Sequence, residues 1–492
     1  MARDDHGTSP HPPAPTMSVL LGPTGAFMAT DAAASGPTRL QWLLCGLVGT
    51  ALSLGLIWTP HAAFVGLHAL GLIGFSGAVL FRGLAIGAAK APTPIRRLRD
   101  TDLPAYTVIV PLYREAEMIP SLLRALDALD YPRDRLQIIV VLEADDAETA
   151  AAMERHSGVE VLTAPRGYPR TKPRACNIAL QRARGRYVVV YDAEDRPHPL
   201  QLREAAARFA QASQKTACLQ APLRIANGSG FWGRQFALEY AAQFEILLPA
   251  LARIGGPFPL GGTSNHFRAD VLRSVGGWDA WNVTEDADLG FRLAAHGWRS
   301  AMLRTPTWES APTTYRDWRP QRARWVKGYM QTWGVQMRAP FSGGLGRLFA
   351  LQATTGLAIV SALVHAPLMA WVIGHGLWAI LFGQPLASAP DLALLVSGWG
   401  IAILAMSSGA KRIGLQMRLI DGGAAPLYWA MQSAAAAQAV WQLLTRPHHW
   451  DKTRHQPPED RGLSGAFSAS NDRPSDNGEL DAEGAASVRR VA

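Results

Sequence analysis

Two acidic clusters and the basic run between them are the residues of this chain best suited to chemistry. Glu143-Ala144-Asp145-Asp146 and Asp192-Ala193-Glu194-Asp195 crowd carboxylates that repel one another unless a cation joins them, and hard oxygen ligands suit Mg²⁺ or Mn²⁺. Between them lie Arg166, Arg170, Lys172, Arg174, Arg182, Arg184 and Arg186, with no acid in that stretch. Cations facing a carboxylate-held metal are what a diphosphate requires, because its oxygens divide between the two. Plainer roles compete: acids cap helix N-termini, and Arg182 and Arg184 suit a solvated helix face. No aromatic platform interleaves these charges, which speaks against RNA. Farther on, Gln321, Arg324 and Trp325 fall at i, i+3 and i+4, so a helix would present amide, guanidinium and indole on one face. Such an indole either carries a sugar ring or anchors in a membrane interface.

The elements that must position these groups are legible as apolar runs. Residues 106–112, 137–142, 159–162 and 186–191 predict strands, with a helical pattern from Glu115 to Asp130 after the first. Continuous apolar strands alternating with helices predict an α/β domain whose mostly parallel sheet is covered on both faces, with its ligand site at the strands' carboxyl ends. Both acidic clusters sit at such ends. Gly261-Gly262-Thr263-Ser264-Asn265-His266 predicts a glycine-rich turn before a helix near Arg268, with His266 either structural or an acceptor contact. Gly276-Gly277-Trp278-Asp279 predicts a turn with a packed indole.

Composition adds a membrane. The chain is 18% charged, below the roughly 25% of soluble chains. The excess of 48 Lys+Arg over 39 Asp+Glu is too small across 492 residues to argue a nucleic-acid partner and fits an anionic membrane face. Cys45, Cys176 and Cys218 cannot make a disulfide framework and match no zinc spacing, which excludes a small disulfide-stapled domain. No charged residue falls between Arg39 and Arg82, and Pro60-His61 divides that stretch into two runs of about 20 residues, so 39–82 predicts a transmembrane hairpin. After a charged segment, 83–347, uncharged stretches return at 348–390, 392–410 and 422–445. We expect transmembrane helices over 348–421, with one crossing in 348–390 whose remainder lies near the outer surface. For 422–455, Gln432, Gln438 and Gln442 favour an interfacial helix over another crossing, giving four spans, with six as the alternative. Arg82, Lys90, Arg96, Arg97, Arg99, Arg338, Arg347, Lys411, Arg412 and Arg418 place 83–347 in the cytoplasm of a multi-pass inner-membrane protein. Residues 1–38 and 456–492 are polar and expected to be disordered, with no cleaved signal peptide.

In order along the chain, Asp145-Asp146, Lys172, Asp192-Ala193-Glu194-Asp195, Thr284-Glu285-Asp286 and Gln321-Arg322-Ala323-Arg324-Trp325 resemble the motifs of family 2 glycosyltransferases of the cellulose synthase-like group. The resemblance implies a GT-A-like cytoplasmic nucleotide-sugar domain flanked by transmembrane helices. It implies that Asp145 or Asp146 contacts the base and ribose, and that Lys172, Glu285 and Arg324 belong to the donor site. Asp192, Glu194 and Asp195 would hold Mg²⁺ or Mn²⁺, with Glu194 where the family usually has a second Asp. Gln321 and Trp325 would hold the acceptor. Asp286 resembles the general base, which gives inversion and a β bond from an α-linked donor.

The implied activity is extension of a β-linked polysaccharide and its export across the inner membrane. UDP-glucose is the commonest family donor, and the lipid bilayer and accessory export proteins are the implied partners, with no nucleic acid. Single transfer to a lipid-linked acceptor is the alternative. A non-enzymatic transport or scaffold subunit is opposed by the presence of Asp192, Glu194 and Asp286. The family's Phe-x-Val-Thr-x-Lys gating segment is missing, and Trp450-Asp451-Lys452-Thr453 is either a lid in its place or a membrane-surface anchor.

Overall fold

The computed structural model describes residues 32–153, 158–383 and 389–450. The four anticipated strands form as β1 (Tyr106–Leu112), β2 (Leu136–Glu143), β3 (Glu160–Ala164) and β4 (Tyr187–Val190). Six more follow: β5 (Arg196–Pro197), β6 (Thr216–Gln220), β7 (Leu223–Ile225), β8 (Asn265–Arg268), β9 (Arg299–Met302) and β10 (Thr307–Glu309). The main sheet runs β3-β2-β1-β4-β8-β6-β9, and β5-β10-β7 form a small second sheet. β1 through β4 pair in parallel, whereas β8 is antiparallel to both β4 and β6. The glycine-rich turn therefore leads into a strand, and the helix expected near Arg268 begins one residue later as Ala269–Ser274.

Side chains of alternating parity on the parallel strands enter two separate cores, as a pleated strand requires. Ile109, Ile139, Val188 and Val190 pack with Ala175, Cys176, Ala179 and Phe291 on one face. Val108, Val110, Val140 and Val189 pack with Leu122, Leu126, Leu202 and Phe209 on the other. Burial on both faces explains why these strands read as unbroken apolar runs.

Among the described residues, four helices are long and apolar enough to cross a membrane: Arg39–Trp58, Pro60–Ala88, Gly344–Phe382 and Pro390–Arg412. The third is 39 residues long, about 58 Å at 1.5 Å per residue and far more than hydrocarbon needs. Its first turns belong to the sheet domain: Ala350 and Leu351 lie in that domain's core, and Arg347 donates to Gln336 at 2.9 Å. Leu419–Thr445 is a continuous helix that falls outside those four. It packs through Ala425, Tyr428, Ala435, Ala436 and Ala439, and its start is fixed by Asp421, which accepts from Arg234 at 2.5 Å and Arg418 at 3.0 Å.

The stretch expected to be disordered at the N-terminus ends sooner than residue 38. Ala33–Ser35 makes a turn of 3-10 helix, Ala33 N–H donates to Asp279 at 2.7 Å, and Arg338 donates to the Ala32 and Gly36 carbonyls. The expectations for 1–31 and 451–492 lie outside the described residues.

Candidate active site

Parallel pairing of β1 with β2 and β4 brings Tyr113, Glu143 and Asp192 to one edge of the sheet. A cavity of about 1010 Å³ opens there, lined by Lys172, Asp192, Glu194, Glu285, Asp286, Gln321, Arg324 and Trp325. Eight of the residues expected from sequence thus converge on one space.

Lys172 begins the helix Lys172–Arg182, where Pro173 fills the first turn at no cost in hydrogen bonds. Its Nζ lies 2.5 Å from Asp192 Oδ1 and donates to the Gly262 carbonyl at 2.6 Å. Burial works against the lysine charge, yet Asp192 and Glu285 outweigh it and hold the pKa above the usual value. The ammonium is a fixed cation at the cavity wall.

Asp286 sits in the first turn of the helix Glu285–Ala295. That turn is held against the helix Tyr315–Gln336: Val283 N–H donates to Gln331 at 3.1 Å, and Asn282 donates to Thr332 at 3.0 Å. Gly328 makes this approach feasible, since a Cβ there would stand 2.4 Å from the Thr284 side chain. Burial raises the Asp286 pKa, with backbone N–H groups, Lys172 and Arg324 pulling it back. Burial and then the Asp286 charge push Glu285 up to about 8. A carboxylate of raised pKa is a better proton acceptor, and Asp286 is the one of the pair that is only half-buried.

The helix Tyr315–Gln336 does present Gln321, Arg324 and Trp325 to the cavity. Arg322, overlooked in the sequence, explains how the indole is set. Its guanidinium lies 4.5 Å from the Trp325 ring centroid and 4.6 Å from that of Phe236. It is also paired with both Glu239 oxygens at 2.7 and 2.5 Å. Tyr428 completes the group, accepting from Arg322 at 2.9 Å and donating to Glu239 at 3.0 Å. For an acceptor that lays a sugar ring on this indole, Trp325→Ala should raise the acceptor KM by roughly 5- to 150-fold, the equivalent of about 1–3 kcal/mol by analogy with base stacking. Donor KM should stay put, and steady-state kinetics with each substrate varied separately checks the split.

Three expected residues are placed elsewhere. Asp195 is buried behind the cavity wall: Oδ2 accepts from Asp192 N–H at 2.7 Å and from the Thr263 hydroxyl, while Oδ1 is buried with no hydrogen-bond partner among the described residues. Burial, then Asp192 and Glu194, raise its pKa well above the usual range. It braces the Asp192–Glu194 loop from behind. Asp146 is buried and accepts from Arg114 N–H at 2.5 Å and Thr149 N–H at 3.2 Å, so it caps the helix Ala147–Met153. Asp145 is paired with Arg170 at 2.6 Å at the rim.

Glu309 lines the cavity too, its pKa raised well above normal by burial and then by Asp195 and Glu194. It comes from β10, more than a hundred residues beyond the acidic loop, and no spacing signals it. Trp450 lines the cavity, its ring centroid 4.5 Å from the Arg324 guanidinium. Lys327 and Gln331 hold its approach by donating to the His449 and Pro447 carbonyls at 2.7 and 3.0 Å. His266 is fully buried between Tyr106 and Gln201, at 2.6 and 3.1 Å, and burial lowers its pKa to about 3, so it is structural.

Residues 104–328, which supply nearly all of this site, match the family described as Glycosyltransferase like family 2. Over these residues the chain is similar to glycosyltransferase family 2 domains. The chain is 29% identical over 240 residues to a beta-monoglucosyldiacylglycerol synthase of Synechocystis sp., covering 47% of this chain and 50% of that one. It is 27% identical over 248 residues to glucomannan 4-beta-mannosyltransferase 2 of Arabidopsis thaliana, covering 47% and 45%. The chain thus spans about half the length of these curated relatives. Among solved structures, the mannosyltransferase PcManGT of Pyrobaculum calidifontis aligns with a TM-score of 0.53 at 21% identity, covering 77% of this chain and 97% of that one. The sheet domain therefore has a GT-A-like fold, and four apolar helices flank or follow it.

Proposed function

We propose that the chain transfers single sugars from a nucleotide-sugar donor to the hydroxyl of a lipid held in its membrane-facing cavity. The observation that carries this reading is the continuity and lining of that cavity. From Lys172, Asp192 and Asp286 it runs on among the candidate spans, past Leu72, Phe75, Leu368 and Leu395. The apolar side chains of that half match acyl chains, and Arg82, His365 and Gln432 among them offer a polar headgroup its partners. The kinship with a beta-monoglucosyldiacylglycerol synthase supports the same acceptor class.

Asp286 takes the proton of the acceptor hydroxyl as its oxygen bonds to the anomeric carbon, and the bond to the diphosphate breaks with its electron pair leaving on the nucleotide. One displacement inverts the centre, so an α-linked donor gives a β product. Lys172 and Arg324 face the growing diphosphate charge. Asp192 and Glu194 fit a divalent cation because both line the cavity and are hard oxygen donors; Mg²⁺ or Mn²⁺ held there would supply further charge stabilisation at the diphosphate. Among the described residues no three His, Cys, Asp or Glu side chains are grouped to hold a metal by themselves, so donor oxygens would complete the shell. The PcManGT structure carries GDP-Man and Mn²⁺. UDP-glucose is the donor to try first, and Asp145 with Arg170 at the rim is the candidate for base and ribose. The basic residues flanking the spans support a cytoplasmic position for the domain at an inner membrane.

Extension and export of a β-linked polysaccharide is the second reading. The Trp325 platform beside Gln321 and Arg324 favours it, as does kinship with a glucomannan mannosyltransferase. Both readings need the membrane half of the cavity. Ala402 lines that half, and Ala402→Trp should abolish transfer while donor affinity, measured by calorimetry, stays within about twofold. Normal transfer by a correctly folded Ala402→Trp protein would remove the cavity as the acceptor's route.

A further inference from the structure

Arg82 is a cation in an expensive place with no ion-pair partner among the described residues. It lies on the candidate span Pro60–Ala88, six residues or about 9 Å from the helix end that meets the catalytic domain. Its side chain lines the cavity. Among the described residues its guanidinium donates to no acceptor and forms no ion pair. The carboxylate whose charge reaches it is Glu239, but both Glu239 oxygens are occupied by Arg322 and one also by Tyr428. On the helix Leu357–Phe382, His365 lines the same cavity as Arg82, and its Nε2 is buried without a hydrogen-bond partner among the described residues. An arginine near the end of a span ordinarily snorkels toward the interface. This one is turned into an interior cavity between the catalytic carboxylates and an aliphatic wall, the setting in which an intramembrane charge marks a ligand's path.

The chemistry of the missing partner follows. A guanidinium fork with a nearby imidazole suits a phosphate, and the walls beyond it suit acyl chains. Asp286, a base, is of use only to a nucleophile that must lose a proton; an ionised phosphate oxygen would not need it. The nucleophile and the phosphate are therefore two parts of one headgroup. We infer that Arg82, with His365, binds the phosphate of a glycerophospholipid acceptor whose headgroup hydroxyl reaches Asp286. The phosphate is unchanged by the reaction, and the pairing of Glu239 with Arg322 keeps a repelling charge from the site. This rests on the lipid-acceptor reading.

The test uses the full chain in maltoside micelles free of phospholipid, photolabelled with phosphatidylglycerol that carries a diazirine in an acyl chain. Excess phosphatidylglycerol should block labelling, whereas diacylglycerol and glycerol 3-phosphate at the same concentration should not. Arg82→Gln should cut labelling at least tenfold, Arg82→Lys should keep about half, and both should bind donor normally. Displacement by diacylglycerol as effective as by phosphatidylglycerol would overturn the phosphate site, and displacement by glycerol 3-phosphate would reduce it to a free-anion site and overturn the lipid. Wild-type labelling of Arg82→Gln would do the same. If that variant loses donor binding through misfolding, the competition on the wild-type protein still decides. A lipid that gains sugar while Arg82→Gln labels normally rejects this inference and spares the acceptor reading; Arg82-dependent labelling with no lipid product rejects the acceptor reading and, with it, the acceptor role of the bound phospholipid.

Discussion

Asp286→Asn should lower the transfer rate by about 10² or more, the scale of a lost general base, while leaving donor affinity nearly unchanged. The amide keeps the shape of the carboxylate and its contacts to the first turn of the helix Glu285–Ala295, but cannot take a proton. Glu285 is the neighbour best placed to substitute, yet it is more deeply buried and its pKa is already near 8, so at neutral pH much of it is protonated and unavailable as a base. Calorimetric donor binding set beside single-turnover rates separates the two effects. Equal losses in both would make Asp286 structural, and no loss in either would remove it from the mechanism.

Asp192→Asn should be more damaging and should weaken the donor as well. Asp192 is the partner of Lys172 at 2.5 Å and, with Glu194, the fitted holder of the divalent cation. Loss of a metal-supported contact is worth several kcal/mol, or about 10³-fold at about 1.4 kcal/mol per factor of ten. The Lys172 ammonium would also lose the carboxylate that offsets its burial. Titration with Mn²⁺ in the presence of donor should give saturable activation for the wild-type protein and none for Asp192→Asn. Full wild-type turnover in excess chelator, with the fold intact by circular dichroism, would dismiss the metal assignment.

The parallel half of the sheet was legible because strands buried on both faces are unbroken apolar runs, and β1 begins and ends at the residues the pattern indicates. β8 was not, because Asn265–Arg268 carries His and Arg whose polar groups are satisfied only by distant partners: Tyr106 and Gln201 for His266, the Thr216 and Phe209 carbonyls for Arg268. Motif residues on one helix face converged as their spacing required, Gln321 with Arg324 and Trp325. Groups assembled from separate elements carried no local signal. Glu309, the Glu239–Arg322–Tyr428 set and the Trp450–Arg324 contact join residues as much as 189 positions apart. Asp195 shows the converse: adjacency to two cavity-lining acids suggested a third ligand, and the chain turns its carboxylate inward onto Asp192 N–H and Thr263. Among the basic residues used to orient the spans, Arg347 and Arg412 have structural work besides, bonding Gln336 in one case and the Glu245 and Ala89 carbonyls in the other.

The most direct test is the product itself. The purified full chain, supplied with α-linked UDP-glucose labelled in the sugar, Mg²⁺ or Mn²⁺ and a membrane lipid extract, is run at limiting enzyme; the organic and aqueous phases are then separated for mass spectrometry and NMR of the anomeric proton. If UDP-glucose is inert, the same assay is run with GDP-mannose and UDP-N-acetylglucosamine. The account predicts label in the organic phase, on a lipid whose mass has grown by one sugar in β linkage. Label in long water-soluble chains, with the lipid pool unchanged, would contradict it and return the chain to polymer synthesis.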